Sequence, residues 1–265
     1  MKRGWKRFAA LSCGALMMSF GLAWAQKAPQ AKSQKEVEAL VAINNAKTPD
    51  DRLKAIDNVL TKYADTEFKP MLLQMAMQTA EQKGDFAQTT FYAEQILEAD
   101  PKNTFAALAM ATELARHTRE FDLDKEEKLA KAEKYANAAI ANAPNTPKTR
   151  PDVTDDQWTG VKKDLAAQGH EALGMIASLR KKYDVAITEF KTAADSAATP
   201  DPATFVRLGQ AYLDAGKLDE ASAAFDKALG SPNVPDQVKQ IAQSKKAEIA
   251  KKKAGGGAAP PSEKQ

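Results

Sequence analysis

The side chains best able to perform acid–base, nucleophilic or metal chemistry are few and scattered in this sequence. Its two histidines, His117 and His170, lie far apart, and neither belongs to an H-E-x-x-H arrangement. We expect His170 to be a core or groove-edge residue rather than a ligand. The single cysteine, Cys13, lies in an apolar N-terminal segment. The sequence therefore predicts no metal site and no thiolate nucleophile beyond that segment.

Motifs that cradle phosphates or activate a serine are also missing. The patterns G-x-x-x-x-G-K-[ST], G-x-G-x-x-G and G-x-S-x-G do not occur, and Gly255–Gly257 lies in a polar C-terminal stretch. Acidic pairs such as Asp155-Asp156 and Asp122-Asp124 are explained by helix caps and solvated loops. We therefore expect no catalytic residue, no cofactor and no enzymatic activity.

The first 25 residues have the pattern of a secretory signal peptide. Four basic residues precede an uncharged run over residues 8–24, which ends in Ala23-Trp24-Ala25. We expect cleavage before Gln26. A retained membrane anchor is the alternative, although the run is short of the ~20 residues that span a bilayer. Lipid attachment at Cys13 is disfavoured, because most of the apolar run follows it.

Charge argues against a nucleic-acid partner. The chain has 38 basic and 35 acidic residues, and residues 1–25 contain four of the basic ones and none of the acidic ones. Removal of that segment changes the net charge from +3 to −1. A phosphate-binding face requires a surplus of Lys and Arg. We expect a periplasmic or otherwise exported protein that binds no nucleic acid and has no stable membrane insertion after cleavage.

A repeated spacing of large and small residues organises the rest of the chain. The clearest unit consists of Phe205, Leu208, Gly209, Tyr212, Ala221, Phe225 and Ala228. A second copy lies 35 residues earlier and consists of Leu173, Gly174, Ala186, Phe190 and Ala193. The spacing resembles the tetratricopeptide-repeat (TPR) pattern W-x2-L-G-x2-Y followed by A-x3-F, with Phe205 in place of tryptophan.

Weaker units lie upstream of these two copies. The closing prolines Pro101 and Pro144 are 43 residues apart, whereas TPR units repeat every 34 residues, so we expect an insertion within residues 118–127. Between Pro144 and Pro151 we expect a polar connector that packs against Trp158, which follows a capping box at Thr154.

The resemblance implies an all-α, right-handed TPR solenoid of about five helix pairs plus a C-terminal capping helix. The expected boundaries are a signal peptide over residues 1–25, a flexible stretch over 26–33, a solenoid over 34–252, and a disordered tail over 253–265. Within the solenoid, the clearest repeats cover 167–200 and 201–235, and the cap covers 235–252.

In TPR proteins the first helices of the pairs line a concave groove that usually holds a peptide or a partner helix. Alignment of the weaker units to the two clear copies predicts a groove that is neutral and amide-rich. Its residues are Gln74, Gln78, Thr112, Arg116, Gln168, Glu171, Met175, Gln210 and Asp214. The Lys and Asn clamp by which some TPR domains grip a chaperone C-terminus is not reproduced, since Ala203, Val206, Arg207 and Gln210 stand in its places.

The resemblance also implies a non-enzymatic scaffold of the cell envelope that binds a partner protein or peptide in this groove. One alternative is a structural subunit of an envelope assembly or secretion complex, held through the edges of the solenoid. Another is an envelope enzyme or ligand carrier. The identity of the partner and the oligomeric state stay open.

Overall fold

Residues 29–149 and 152–255 are described by a computed structural model and contain only helices and their connections. The helices are α1 Gln34–Asn44, α2 Pro49–Lys62, α3 Lys69–Lys83, α4 Phe86–Ala99, α5 Thr104–His117, α6 Lys125–Asn142, α7 Asp155–Leu179, α8 Tyr183–Ser196, α9 Pro202–Asp214, α10 Leu218–Gly230 and α11 Asp236–Gly255. A short 3-10 turn, Ala143–Asn145, follows α6.

Consecutive helices pack as five pairs, from α1/α2 to α9/α10, and α11 covers the last pair. The buried side chains Ala242 and Ile249 of α11 join a cluster with Phe225 and Leu213. The prediction of an all-α TPR solenoid of five helix pairs and a C-terminal cap is confirmed in this part of the chain. No helix in the described ranges combines the length and apolar character needed to cross a bilayer.

Two glycines allow the last helix pairs to approach closely. A Cβ atom added at Gly209 would lie 2.8 Å from the Phe225 ring, and one added at Gly174 would lie 2.6 Å from the Phe190 ring. Because no real Cβ atom fits at these distances, each phenylalanine ring occupies the space that the glycine leaves. The same close approach therefore occurs at Gly209 and at Gly174, the equivalent glycines of the two clear repeat copies.

The turns within three of the five pairs, α3/α4, α7/α8 and α9/α10, share one backbone geometry. Gly84 and Gly216 adopt positive φ angles of 71° and 75°, and Lys181 adopts 59° at the same place between α7 and α8. After each of these residues, the chain bonds back to the preceding helix, as in the Lys217 N–H donating to the Tyr212 carbonyl at 2.8 Å. Lys181 therefore occupies a position that favours glycine.

The predicted insertion lies between α5 and α6. Residues 118–124 separate these helices, whereas two to four residues separate the helices of every other pair. The Asp122 carboxylate orders the loop, since it accepts from the Arg119 backbone N–H and from Lys128 Nζ, both at 3.1 Å. Phe121 and Leu123 project from it, 93% and 108% exposed.

The connection from α6 to α7 packs against Trp158, as predicted. The buried Trp158 indole donates Nε1–H to the Thr146 carbonyl at 3.1 Å. The Thr146 hydroxyl lies 2.8 Å from that of Thr104 at the start of α5. The capping box predicted at Thr154 is present, with Gln157 as its reciprocal partner.

The helical region begins where predicted and ends slightly later than predicted. α1 begins at Gln34, and α11 continues to Gly255, three residues past the predicted end of the cap. The predicted signal peptide lies outside the described residues, as does the predicted tail from residue 256 onward.

Candidate functional site

The first helices of the second, third and fourth pairs, α3, α5 and α7, border a continuous groove, which the start of α9 closes at one side. Three adjoining concave regions form it and share lining residues. Gln74, Gln78 and Phe105 belong to both the first region and the middle one, and Glu81, Thr112 and Gln168 belong to both the middle region and the last. We call these regions the apolar end, the middle and the acidic end of the groove.

Helical periodicity places the lining residues in rows. Gln74, Gln78 and Glu81 are four and three residues apart on α3, so they share one face of that helix. On α7 the same rule aligns Asp164, Gln168, Glu171 and Met175. Helix α5 lies between them and is buried along most of its length, since its alanines allow neighbouring helices to pack closely.

Seven of the nine predicted groove residues line this groove. They are Gln74, Gln78, Thr112, Arg116, Gln168, Glu171 and Met175. Gln78, Arg116 and Gln168 are exposed, and the other four are half-buried.

The other two predicted residues, Gln210 and Asp214, lie away from the groove. The Gln210 side chain donates Nε2–H to Asp214 Oδ1 at 2.7 Å on α9. Asp214 lines a separate shallow depression beside Lys181 and Lys182. Only the N-cap residue Asp201 and the first half of α9, through Thr204 and Arg207, reach the groove. Helix α9 packs less extensively on α7 than α7 does on α5, so its second half does not border the same space.

The apolar end is the largest part of the groove, with a volume of about 850 Å³. Pro70, Met71 and Met75 from α3 and Phe105 from α5 supply apolar surface, and Met71 is 48% exposed. Its far wall is the connector between α6 and α7, through Asn142, Asn145, Thr146, Pro147 and Thr149. Such a basin of methionine and aromatic surface can accept a large apolar side chain.

The middle of the groove is its smallest part, with a volume of about 90 Å³. Its polar lining includes the amides of Gln74, Gln78 and Gln168 and the hydroxyl of Thr112. Each amide can both donate and accept hydrogen bonds, which is what the backbone of an extended peptide requires.

The acidic end has a volume of about 240 Å³ and holds four carboxylates and two guanidinium groups. Arg207 is already held by Glu171, which also accepts from the Thr204 hydroxyl at 3.0 Å. Arg116 lies 3.7 Å from the buried carboxylate of Glu113. Both cationic side chains thus have a carboxylate partner.

Three carboxylates of the acidic end have no cation within ion-pair distance among the described residues: Glu81, Asp164 and Asp201. Asp164 accepts from the Thr199 backbone N–H at 3.0 Å, and Asp201 caps α9. Burial raises the pKa of Glu81, the nearby Glu113 adds to this rise, and Arg116 opposes it. The predicted neutrality of the groove is therefore wrong at this end, where negative charge is in excess.

Reasoning from the sequence missed three of the four carboxylates, Glu81, Asp164 and Asp201, and it missed the connector wall. Helical spacing could have found two of these residues, because Glu81 lies three positions after Gln78 and Asp164 lies four positions before Gln168. The connector belongs to no repeat, so repeat spacing carries no signal for its side chains.

Each of the two histidines packs against one neighbouring side chain. The His170 Nδ1 atom is 2.8 Å from the Glu189 carboxylate, between α7 and α8. The His117 ring lies 4.4 Å from the Phe86 ring, centroid to centroid. The described residues contain no group of three or more His, Cys, Asp or Glu side chains arranged to hold a metal ion.

Comparison with known proteins agrees with this architecture. The tetratricopeptide-repeat family pattern matches residues 202–232, which cover α9 and α10. No curated protein sequence matches the chain.

Two solved structures share the fold. One is TTC0263, a thermophilic TPR protein of Thermus thermophilus, with 18% identity over 82% of this chain and 95% of that chain and a TM-score of 0.53. The other is a double mutant of MamA RS-1, with 14% identity over 81% of this chain and 98% of that chain and a TM-score of 0.53. The repeat match and the shared fold support a TPR protein, a class that generally binds other proteins.

Proposed function

We propose that this protein is a non-enzymatic scaffold that binds a partner protein or peptide in its groove. The observation that carries the proposal is the placement of Gln78, Thr112 and Gln168 side by side on three successive first helices, facing the open groove. Polar side chains aligned in this way can satisfy the backbone of a bound segment. An apolar basin at one end of the row supplies surface that a partner can bury.

We also propose that the scaffold acts in the cell envelope, after export. The support is the signal-peptide pattern of residues 1–25, with its Ala23-Trp24-Ala25 site. Intact-mass analysis of protein from an extracytoplasmic fraction tests this. A chain that begins at Gln26 is expected, whereas a full-length chain recovered only with membranes would favour a retained anchor.

Groove binding is tested in two steps, beginning with crosslinking in the cells that produce the protein and identification of the partner. The affinity of the purified partner is then measured for Gln78→Ala combined with Gln168→Ala. Each lost contact is worth about 1 kcal/mol, so the double variant should bind about 30-fold more weakly. Both side chains are exposed, so folding should be unaffected.

The matched control is Asn58→Ala combined with Gln243→Ala, which removes two exposed amides from α2 and α11, away from the groove. This control should bind like the parent. Equal affinity of the groove variant and the parent would reject groove binding.

One observation favours a second candidate, a structural subunit held through the edge of the solenoid. Phe121 and Leu123 project, almost fully exposed, from a loop that Asp122 orders. Apolar side chains on an ordered loop can insert into a pocket of a larger assembly. If the loop holds the protein in an assembly, Phe121→Ser combined with Leu123→Ser should abolish its incorporation into that assembly. Gln78→Ala combined with Gln168→Ala should then leave incorporation intact. The opposite result for the two variants would favour binding in the groove.

A further inference from the structure

The acidic end of the groove carries uncompensated negative charge where a bound segment would pass. Glu81 on α3 and Asp164 on α7 both line it, and no described cation lies within ion-pair distance of either carboxylate. The arginines that share the space cannot compensate fully, because Glu171 holds Arg207 and Glu113 lies beside Arg116. A cationic group entering here would be attracted by carboxylates that no described cation pairs with.

The amides in the middle of the groove favour an extended occupant. An α-helix satisfies its own backbone N–H and C=O groups, so a helical backbone would not bond to the amides of Gln78 and Gln168. An extended chain fits better, because its backbone can bond to Gln78 and Gln168 while its side chains point to the two ends.

The distance between the two ends follows from the geometry of α5. Phe105 borders the apolar end, whereas Thr112 and Arg116 border the acidic end. Seven to eleven residues of helix correspond to about 10–16 Å, and an extended peptide covers that distance in about three to five residues.

We infer that the groove recognises an extended segment of a partner protein in which a Lys or Arg side chain occupies the acidic end and a bulky apolar side chain, about three to five residues away, occupies the apolar end. The inference rests on the proposed function and specifies the chemistry of the partner. It excludes acidic segments, which would face Glu81, Asp164 and Asp201 at the acidic end.

Panning of a phage-displayed library of random dodecapeptides on the full-length protein tests the inference. Enriched peptides should carry Lys or Arg at the expected spacing from Phe, Leu, Met or Trp. Their affinity for Glu81→Gln combined with Asp164→Asn should fall about tenfold, the effect of one moderately strong charge contact. The side-chain amide oxygen that Asp164→Asn introduces can still accept the Thr199 N–H, so the local fold is retained.

The control variant Glu98→Gln combined with Asp195→Asn removes two exposed carboxylates from second helices, outside the groove, and should bind these peptides like the parent. The enriched peptides could instead be neutral or acidic and fail to bind the variant Gln78→Ala combined with Gln168→Ala. That result would overturn the inference about charge and leave groove binding intact. Failure of every enriched peptide to respond to any groove variant would overturn both.

Discussion

The two halves of this solenoid differ in how their helices pack. In α7–α10 one contact occurs twice, 35 residues apart, with Gly174 under the Phe190 ring and Gly209 under the Phe225 ring. Helices α3–α6 contain no glycine, and the fully buried Tyr92 side chain donates its hydroxyl to Asp57 at 2.7 Å. Helices α7–α10, the regular half, therefore show how the repeat stacks. Most of the groove lies in α3–α6, the irregular half.

The irregular half also holds the two longest interruptions of the solenoid. The α5–α6 loop displays Phe121 and Leu123, and the α6–α7 connector forms one wall of the apolar end. The segments that depart from the repeat therefore shape the surface, whereas the residues that follow the repeat spacing hold the helices together. Four predictions test this division, from the largest expected effect to the smallest.

Gly209→Leu should destabilise the protein most. Its Cβ atom alone would lie 2.8 Å from the Phe225 ring, so the α9/α10 pair must separate. The expected loss in free energy of unfolding is about 3 kcal/mol, measured by urea denaturation with circular dichroism. Gly230→Ala is the control, because nothing lies within 4 Å of the added Cβ, and it should be neutral or slightly stabilising. Parent-like stability of Gly209→Leu would show that the repeated contact does not hold the pair together.

Trp158→Phe should destabilise the irregular half by a smaller amount. The change removes the indole donor and leaves the Thr146 carbonyl without that partner, at a cost of about 1–2 kcal/mol. The connector should also loosen, so trypsin should cleave after Lys148 faster than in the parent. Unchanged proteolysis would mean that Trp158 does not order the wall of the apolar end.

Lys181→Gly should stabilise the protein by about 0.5–1 kcal/mol. Lys181 adopts a φ of 59°, where Gly84 and Gly216 occupy the equivalent turns. The ion pair lost to Glu120 is solvent-exposed and worth little. The reciprocal change Gly216→Ala should destabilise, and equal melting temperatures for both variants and the parent would argue against strain at this turn.

Glu81→Gln should change the pH dependence of stability, with the smallest effect. Burial, with a contribution from Glu113, raises the pKa of Glu81 above its ordinary value of 4.5. Because the folded state holds this proton more tightly than the unfolded state, the parent loses stability as pH rises from 4.5 through the raised pKa. The variant should escape that loss and be the more stable protein at neutral pH.

Urea denaturation of the parent and Glu81→Gln at about pH 4 and about pH 7 measures this difference. The same difference in free energy of unfolding between variant and parent at both pH values would show that ionisation of Glu81 does not destabilise the fold. A difference that grows toward neutral pH would show that the charged carboxylate opposes stability, as expected of a group that serves binding instead.

Much of the fold could be predicted from the sequence, because the TPR spacing is strict where helices touch. Gly209, Phe225 and their copies indicated the pairs, and the distance from Pro101 to Pro144 indicated the insertion. The turn at Lys181 was not foreseen, since no glycine marks it.

The groove could be predicted only in part. Gln78, Thr112 and Gln168 occupy regular positions on first helices, and the structure brings them together. Gln210 holds a regular position too, yet the second half of α9 does not border the groove. The connector wall has no repeat spacing, and its place depends on the Trp158–Thr146 hydrogen bond, a tertiary contact.

Site-specific photo-crosslinking tests most directly whether the partner binds in the groove. A photoreactive phenylalanine analogue is placed at Gln168 or Met71, which line the groove, and at Phe121 or Glu98, which lie outside it. We expect adducts with the partner from Gln168 and Met71 and none from Phe121 and Glu98. Adducts from Phe121 or Glu98, with none from either groove position, would contradict groove binding and support the edge-held structural role.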